Sequence, residues 1–292
     1  MQRTRTNKKV SAILTSDWHL REDTPTCFIG DWNYEQWKTI EHIRGLQAEY
    51  KCPVIHAGDL FDHWKPSPGL LTRALWFLPD QFYTVYGQHD LPQHSFDLKS
   101  KTGLHTLEVA GKIKVLPFTH YGQVPDKAIE MEPFIGRRIL VWHHMTYITS
   151  PFPGAVGGNA INVLKKYPQF DIIITGDNHQ SFWTEYEGRL LVNPGPITRQ
   201  EADKFDYKPR VYLWDADTNT VEPVYLPYTE GTISREHIIV KEERDTRIDA
   251  FISGLDGDWE IGTSFDTNLE SFKITNQVRP AVMEIVYKAT EV

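Results

Sequence analysis

Five short apolar runs in this chain each end in a carboxylate, an imidazole or an amide, and this repetition restricts the possible folds more than any other feature. Residues 11–16 (SAILTS) lead into Asp17-Trp18-His19, 53–57 (PVIHA) into Gly58-Asp59-Leu60-Phe61-Asp62-His63, and 81–86 (QFYTVY) into Gly87-Gln88-His89-Asp90. Residues 138–142 (RILVW) lead into His143-His144, and 171–175 (DIIIT) into Gly176-Asp177-Asn178-His179. Short apolar runs bounded by glycine and polar residues read as buried strands. Between them, 31–50 places Trp37, Ile40, Ile43 or Arg44, and Gln47 at helical spacing behind Asp31 as N-cap, and 69–78, 102–110 and 160–167 also read as helices. A further strand is expected at 113–116. Strands alternating with helices imply an α/β fold. Ligands of open α/β sheets sit beyond the carboxyl ends of the strands, so the five polar ends are expected to face one cleft.

From residue 182 the texture changes. FWTEYEGRLLV reads as a hairpin turning at Glu187-Gly188, and RVYLWDADTNTVEPVYL as another turning at 217–219. TEGTIS (229–234) reads as a linker, and 235–292 as a strand, a helix near 245–254, a polar loop and a final strand, AVMEIVYKA. The expected organisation is a domain at 1–228 and a small capping or partner-binding element at 229–292.

With 292 residues, 40% of them hydrophobic, the chain can bury a substantial core. Its net charge of −8 argues against a protein that coats nucleic acid, though not against an enzyme that meets it locally through metal ions. Cys27 and Cys52 are far apart and form no C-x-x-C motif, which suggests reduced thiols. The basic N-terminus is not followed by a secretory apolar core, and no run of about 18 apolar residues occurs. A cytoplasmic protein with no membrane span is expected.

Taken singly, each polar strand end is an ordinary turn, helix cap or core histidine. Five at corresponding positions point to chemistry. Two divalent ions roughly 3.5–4 Å apart can clamp a phosphate and activate water for in-line attack. Mixed carboxylate, amide and imidazole donors suit manganese first, with magnesium, iron and zinc behind it. No cysteine stands among them, which argues against structural zinc.

In this order, D-x-H, G-D-x-x-D, G-x-H-D, a strand-end histidine and G-x-x-H resemble the calcineurin-like metallophosphoesterases, over roughly residues 10–215. The resemblance implies a metallophosphoesterase-type β-sandwich flanked by helices (α/β/β/α), with a small C-terminal α/β element. GDLFDHWKPSP and NPGPITRQ further resemble the SbcD-type nuclease subunit of double-strand-break repair complexes, in a short, phage-type form. By that resemblance Asp17, His19 and His179 hold a first metal, Asp59 bridges, and Gln88, His143 and Asp177 hold a second. His89 contacts the phosphate and assists the leaving oxygen, and Asp90 orients His89 through a hydrogen bond. Asp62 lies behind the ligands, and His63, Lys65, His94 and Arg199 are candidate substrate contacts, with the loop 150–159 approaching a backbone. Two positions depart from the family pattern: Gln88 stands where it has asparagine, and Asp177 where it has histidine. Both fall on the second metal, and the added oxygen favours manganese or magnesium over zinc. The implied activity is metal-dependent cleavage of DNA, as exonuclease or endonuclease, in repair or recombination, with an SbcC-type ABC ATPase as partner and homodimerisation. A small-molecule (nucleotide) phosphoesterase and a non-catalytic scaffold with a degraded second site are the alternatives.

Overall fold

The computed structural model describes residues 9–123, 129–130, 136–150, 157–236, 238, 244–248 and 265–290. Alternation within the apolar runs sets the layers. In β1 (Ala12–Thr15) Ile13 faces one way while Ala12 and Leu14 face the other. Ile13 joins Val54 of β2 (Val54–His56) and Phe82 of β3 (Phe82–Tyr86) beneath three helices: α1 (Trp32–Tyr50), α2 (Pro68–Phe77) and α3 (Gly103–Val109). Ala12, Leu14, Ile55 and Val85 on the opposite face meet Ile139 and Val141 of β6 (Arg138–Trp142) and Ile172 and Ile174 of β9 (Ile172–Thr175). The outer residues of that second sheet, Leu140, Trp142, Ile173 and Leu191, pack under α4 (Ala160–Lys166). Helix, sheet, sheet, helix is therefore the order of layers. The three isoleucines of β9 are fully buried, on alternating faces, each contributing ~1.5–3 kcal/mol on burial.

The first sheet runs β13-β12-β1-β2-β3-β4, with β4 at Ile113–His120, β12 at Arg210–Asp215 and β13 at Thr220–Tyr225. β1 to β4 are parallel, and the hairpin β12–β13 joins antiparallel against β1. The second runs β10-β11-β9-β6-β5, with β5 at Ile129–Glu130, β10 at Phe182–Tyr186 and β11 at Arg189–Asn193. A two-stranded piece, β7 (Thr146–Tyr147) with β8 (Gly158–Asn159), follows β6. Asp31 caps α1, its carboxylate accepting from the Tyr34 N–H at 2.9 Å, and both expected hairpins turn where the sequence indicates. No described helix is long and apolar enough to cross a membrane.

The chain divides into two compact units, residues 1–234 and 235–292. The expected linker 229–234 belongs to the first of them. Thr229 donates its backbone N–H and its hydroxyl to Glu35, each at 2.7 Å, and Ile233 bridges antiparallel to Phe28. Its polar residues serve fixed hydrogen bonds rather than a flexible connection, and the first compact unit extends to Ser234. In the second unit the expected final strand is a helix. α5 (Phe265–Thr275) and α6 (Pro280–Thr290) are the long elements described there, and no strand occurs among its described residues. The run 281–289 is rich in β-branched residues, but its less exposed side chains fall at Val282, Met283, Val286 and Tyr287, a helical period. Pro280 at the first helical position, where its missing N–H costs nothing, was the signal for that helix. The expected helix at 245–254 lies largely outside the described residues; 244–248 are helical.

Candidate metal centre

The turns after β1 and β2 continue side by side. Ala57 donates to the Thr15 carbonyl at 2.9 Å, Asp17 to Gly58 at 3.0 Å, His19 to Asp59 at 3.1 Å and Leu20 to Leu60 at 2.9 Å. These bonds hold Asp17, His19 and Asp59 in the left-handed region, at φ 51°, 45° and 57°, and Asp177 lies there too at 72°. That conformation costs roughly 1–2 kcal/mol per non-glycine residue and persists where the surroundings over-determine it. Close approach is purchased with glycine. A β-carbon on Gly58, at φ 92°, would lie 2.5 Å from Nδ1 of His143, and one on Gly87 would collide with the Asp59 carboxylate and backbone nitrogen.

Three groups of side chains converge, one of them His19, Asp62 and His89. Donor atoms of Asp17, His19 and His179 lie within 4.8 Å of one another, and so do those of Asp17, Asp59 and His143. Asp17 and Asp59 are fully buried, and among the described residues their ion-pair partners are imidazoles: His179 at 4.0 Å from Asp17, His143 at 3.2 Å and His19 at 3.8 Å from Asp59. A buried charge is expensive unless paired or bound to metal. Oδ2 of Asp17, Oδ2 of Asp59, Nε2 of His143, Nδ1 of His19 and Oε1 of Gln88 are buried without a hydrogen-bond partner. Such a concentration of unsatisfied donors for a cation fits a pair of divalent ions. Burial pushes the His19 imidazole down to about 3, so it is neutral and its nitrogens are available. Burial opposes charge on His143 as well, but Asp59 outweighs it and the ring is pushed up to about 10. A cation taking the place of that proton would supply the same compensation to Asp59.

The outer hydrogen bonds fix which imidazole nitrogen faces inward. Nδ1 of His143 donates to the Ala57 carbonyl at 2.7 Å, which leaves Nε2 toward Asp59. Nδ1 of His179 meets the Glu201 carboxylate at 2.6 Å, which leaves Nε2 toward His19. The bond from His179 holds Glu201 down at about 2, and burial of His179 is outweighed by that carboxylate and Asp17, so its ring is raised. Nδ1 of His89 donates to the backbone carbonyl of Asp62 at 2.8 Å, and its exposed ring meets His19 edge-on with centroids 4.7 Å apart.

The structure brings Asp17, His19, Asp59, His143 and His179 together. Gln88 and Asp177 sit with each other: Nε2 of Gln88 donates to Oδ1 of Asp177 at 2.6 Å, and the Asp177 N–H donates to Asp17 at 2.9 Å. Asp90 does not orient His89. Fully buried, it accepts the N–H groups of Leu60, Phe61 and Gly87 at 3.1–3.2 Å, tying the turn after β2 to the turn after β3. Burial, with the Asp59 charge beside it, pushes Asp90 up to about 7. Arg199 is no substrate contact either: it is buried, donates to Phe205, Thr229 and Thr232, and stacks on Tyr228. Lys65 and His63 are exposed and line a 280 Å³ cleft with Arg21, Asp62 and Ser67. The Asp62 carboxylate lies 3.7 Å from His19 and 3.3 Å from Arg21. His94 is exposed on a turn beside Tyr121. Of the loop 150–159, residues 151–156 lie outside the described residues.

Sequence reasoning missed Glu201 and the carbonyls of Ala57 and Asp62. Backbone acceptors carry no side-chain signal, and Glu201 stands one residue beyond NPGPITRQ with nothing local to mark it. Within that motif Asn193 holds the turn that carries Asp177 and His179, donating to the carbonyls of Asn178 at 2.6 Å and Gln180 at 2.7 Å.

The model of the calcineurin-like phosphoesterase superfamily domain matches residues 11–218. No curated protein matches the chain. Among solved structures, the chain is similar to a novel archaeal phosphodiesterase at 14% identity and a TM-score of 0.44, over 74% of this chain and 99% of that one. It is similar to a putative 5′-nucleotidase from Staphylococcus aureus at 14% identity and a TM-score of 0.44, over 80% and 58% respectively. A third likeness is to Vps29 from Entamoeba histolytica, at 16% identity and a TM-score of 0.37, over 74% and 99%. With the family model spanning the layered unit and every strand end that carries the centre, the chain belongs to the calcineurin-like phosphoesterase superfamily.

Proposed function

We propose that this protein is a two-metal phosphodiesterase that cleaves DNA, with manganese as cofactor. The observation that supports phosphodiester hydrolysis is the set of buried donor atoms without a hydrogen-bond partner on Asp17, Asp59, Gln88 and His143. Asp17, His19 and His179 would hold one cation, Asp59 would bridge, and Gln88 and His143 would hold the other. Bound there, two divalent ions supply Lewis-acid polarisation of the phosphate and a lowered water pKa. His89, fixed by the Asp62 carbonyl with Nε2 free, contacts the phosphate and passes a proton to the leaving oxygen. Asp90 keeps the two turns that present Asp59 and His89 in register.

DNA as the substrate rests on the likeness of GDLFDHWKPSP and NPGPITRQ to the SbcD-type nucleases, together with exposed His63 and Lys65 in the cleft beside Asp62. The same likeness supports an ABC ATPase partner, a homodimer and a cytoplasmic setting. A second reading, a nucleotide-sized substrate, is favoured by the net charge of −8 and by Glu22 and Asp23 in that cleft.

Purified chain is incubated with linear duplex and single-stranded DNA and manganese, beside EDTA and His89→Ala. Metal-dependent degradation, lost on EDTA treatment and reduced about 10²–10⁴-fold in the variant, is expected. No cleavage of DNA together with turnover of nucleotides selects the second reading; full activity of His89→Ala ends the mechanism.

A further inference from the structure

Asp177 and Gln88 both face the second cation position in sequence order, yet they meet as a hydrogen-bonded pair. A carboxylate oxygen only accepts, so the Gln88 atom 2.6 Å from Oδ1 of Asp177 is Nε2. The two amide atoms share one carbon, and fixing Nε2 fixes Oε1. Oε1 is buried without a hydrogen-bond partner, and Nε2 of His143 and Oδ2 of Asp59, buried too, face each other at 3.2 Å. Asp177 is itself anchored, its N–H donating to Asp17 at 2.9 Å with the backbone at φ 72°. Its carboxylate does not join Asp59 and His143 in the groups of donors that converge within 4.8 Å.

We propose that Asp177 is a positioning residue rather than a metal ligand: it holds the Gln88 amide in the one orientation that presents Oε1 to the second cation. Glutamine has one more rotatable bond than asparagine and an amide that can turn over, and a fixed acceptor for its N–H removes both freedoms. The pairing accounts for the joint occurrence of Gln88 and Asp177 in one centre. Oxygen from Gln88 and Asp59, with His143 as the nitrogen donor, makes the second position harder than the first, where His19 and His179 supply two nitrogens.

The inference rests on the two-cation reading but not on DNA as substrate, and its test uses metal alone. EDTA-stripped, dialysed full-length chain is titrated with Mn²⁺ and followed by calorimetry and by the EPR signal of free Mn²⁺. Asp177→Ala is expected to weaken the second Mn²⁺ about 10–100-fold, and Asp177→Asn, which keeps an acceptor oxygen, to remain within about threefold of wild type. Gln88→Ala should weaken it as much, and Gln88→Ala/Asp177→Ala no further, because both remove one device. If Asp177→Asn falls as far as Asp177→Ala, or the two alanine losses add, Asp177 binds the cation directly and the proposal is overturned. Asp177→Ala at wild-type affinity overturns it too. Wild-type chain that binds fewer than two Mn²⁺ removes the two-cation reading, and this inference with it.

Discussion

Nε2 of His179 lies 3.2 Å from Nε2 of His19, closer than two imidazole lone pairs rest without a proton or a cation between them. His19 is held neutral by burial, and the outward nitrogen of His179 is taken by Glu201. A divalent ion that binds the folded chain and not the unfolded one stabilises it by about 2.7 kcal/mol at a hundredfold excess over Kd. For a chain of this size that is a rise of roughly 5–10 °C in Tm. Calorimetry with manganese and with EDTA measures it, and an unchanged Tm at millimolar manganese would contradict the first cation position.

Glu201 reaches the centre through His179, while its other carboxylate oxygen lies 3.6 Å from Lys204. Glu201→Ala is expected to weaken cation binding about 10–100-fold while far-UV circular dichroism stays as in the wild type. Glu201→Gln keeps an acceptor oxygen and should recover part of the loss. Equal affinity in all three chains, measured by calorimetry, would show that the 2.6 Å contact does not tune the centre.

Gly87 has no room for a β-carbon: its neighbours there are the Asp59 carboxylate and backbone nitrogen. Gly87→Ala is therefore expected to cost about 1–3 kcal/mol through overpacking and to displace the Asp59 carboxylate. Urea unfolding gives the first quantity and metal content after dialysis the second. A variant with wild-type stability and full metal content would mean that the two turns move apart freely.

Glu35 supplies a pH dependence away from the centre. Burial alone would raise its carboxyl, but hydrogen bonds from Lys38 at 2.8 Å and from Thr229 outweigh it and hold it below its ordinary value of 4.5. A group depressed in the folded state stabilises fully above its unfolded value and loses that contribution as pH falls through the folded one. Unfolding free energy should thus decline below about pH 4.5, and Glu35→Gln should flatten that limb while costing roughly 1.5–3 kcal/mol at neutral pH. Denaturant titrations from pH 3 to pH 7, on the order of the carboxylate range, compare the two chains; parallel curves would count against it.

The layers and most of the centre were legible because each strand is short, nearly all apolar and closed by a polar turn. Ile172-Ile173-Ile174 announces burial on both faces, and Asp177 and His179 follow within five residues. What stayed hidden was which group orients which. Asp90 directly follows His89, so a contact between them was the natural reading, but the side chain turns back to three backbone N–H groups and the orienting carbonyl comes from Asp62, 27 positions upstream. Arg199 read as a substrate contact and Thr229 as the start of a linker, yet they bond to each other across 30 positions. The C-terminal helix was misread because β-branched residues at 281–289 outweighed Pro280, whose position favours a helix start.

Asp17, His19 and Asp59 leave the first sheet, and His143 and His179 leave the second. The face between the sheets is mainly apolar, and at the end away from the centre Asn219 of the β12–β13 turn donates to the carbonyls of Asp171 at 3.0 Å and Gly188 at 2.9 Å. A cation gripped from both sides would act as a clasp, joining positions 160 residues apart in the chain. Loosening of strand ends anywhere around the cleft would then register first as lost metal, long before either sheet comes undone.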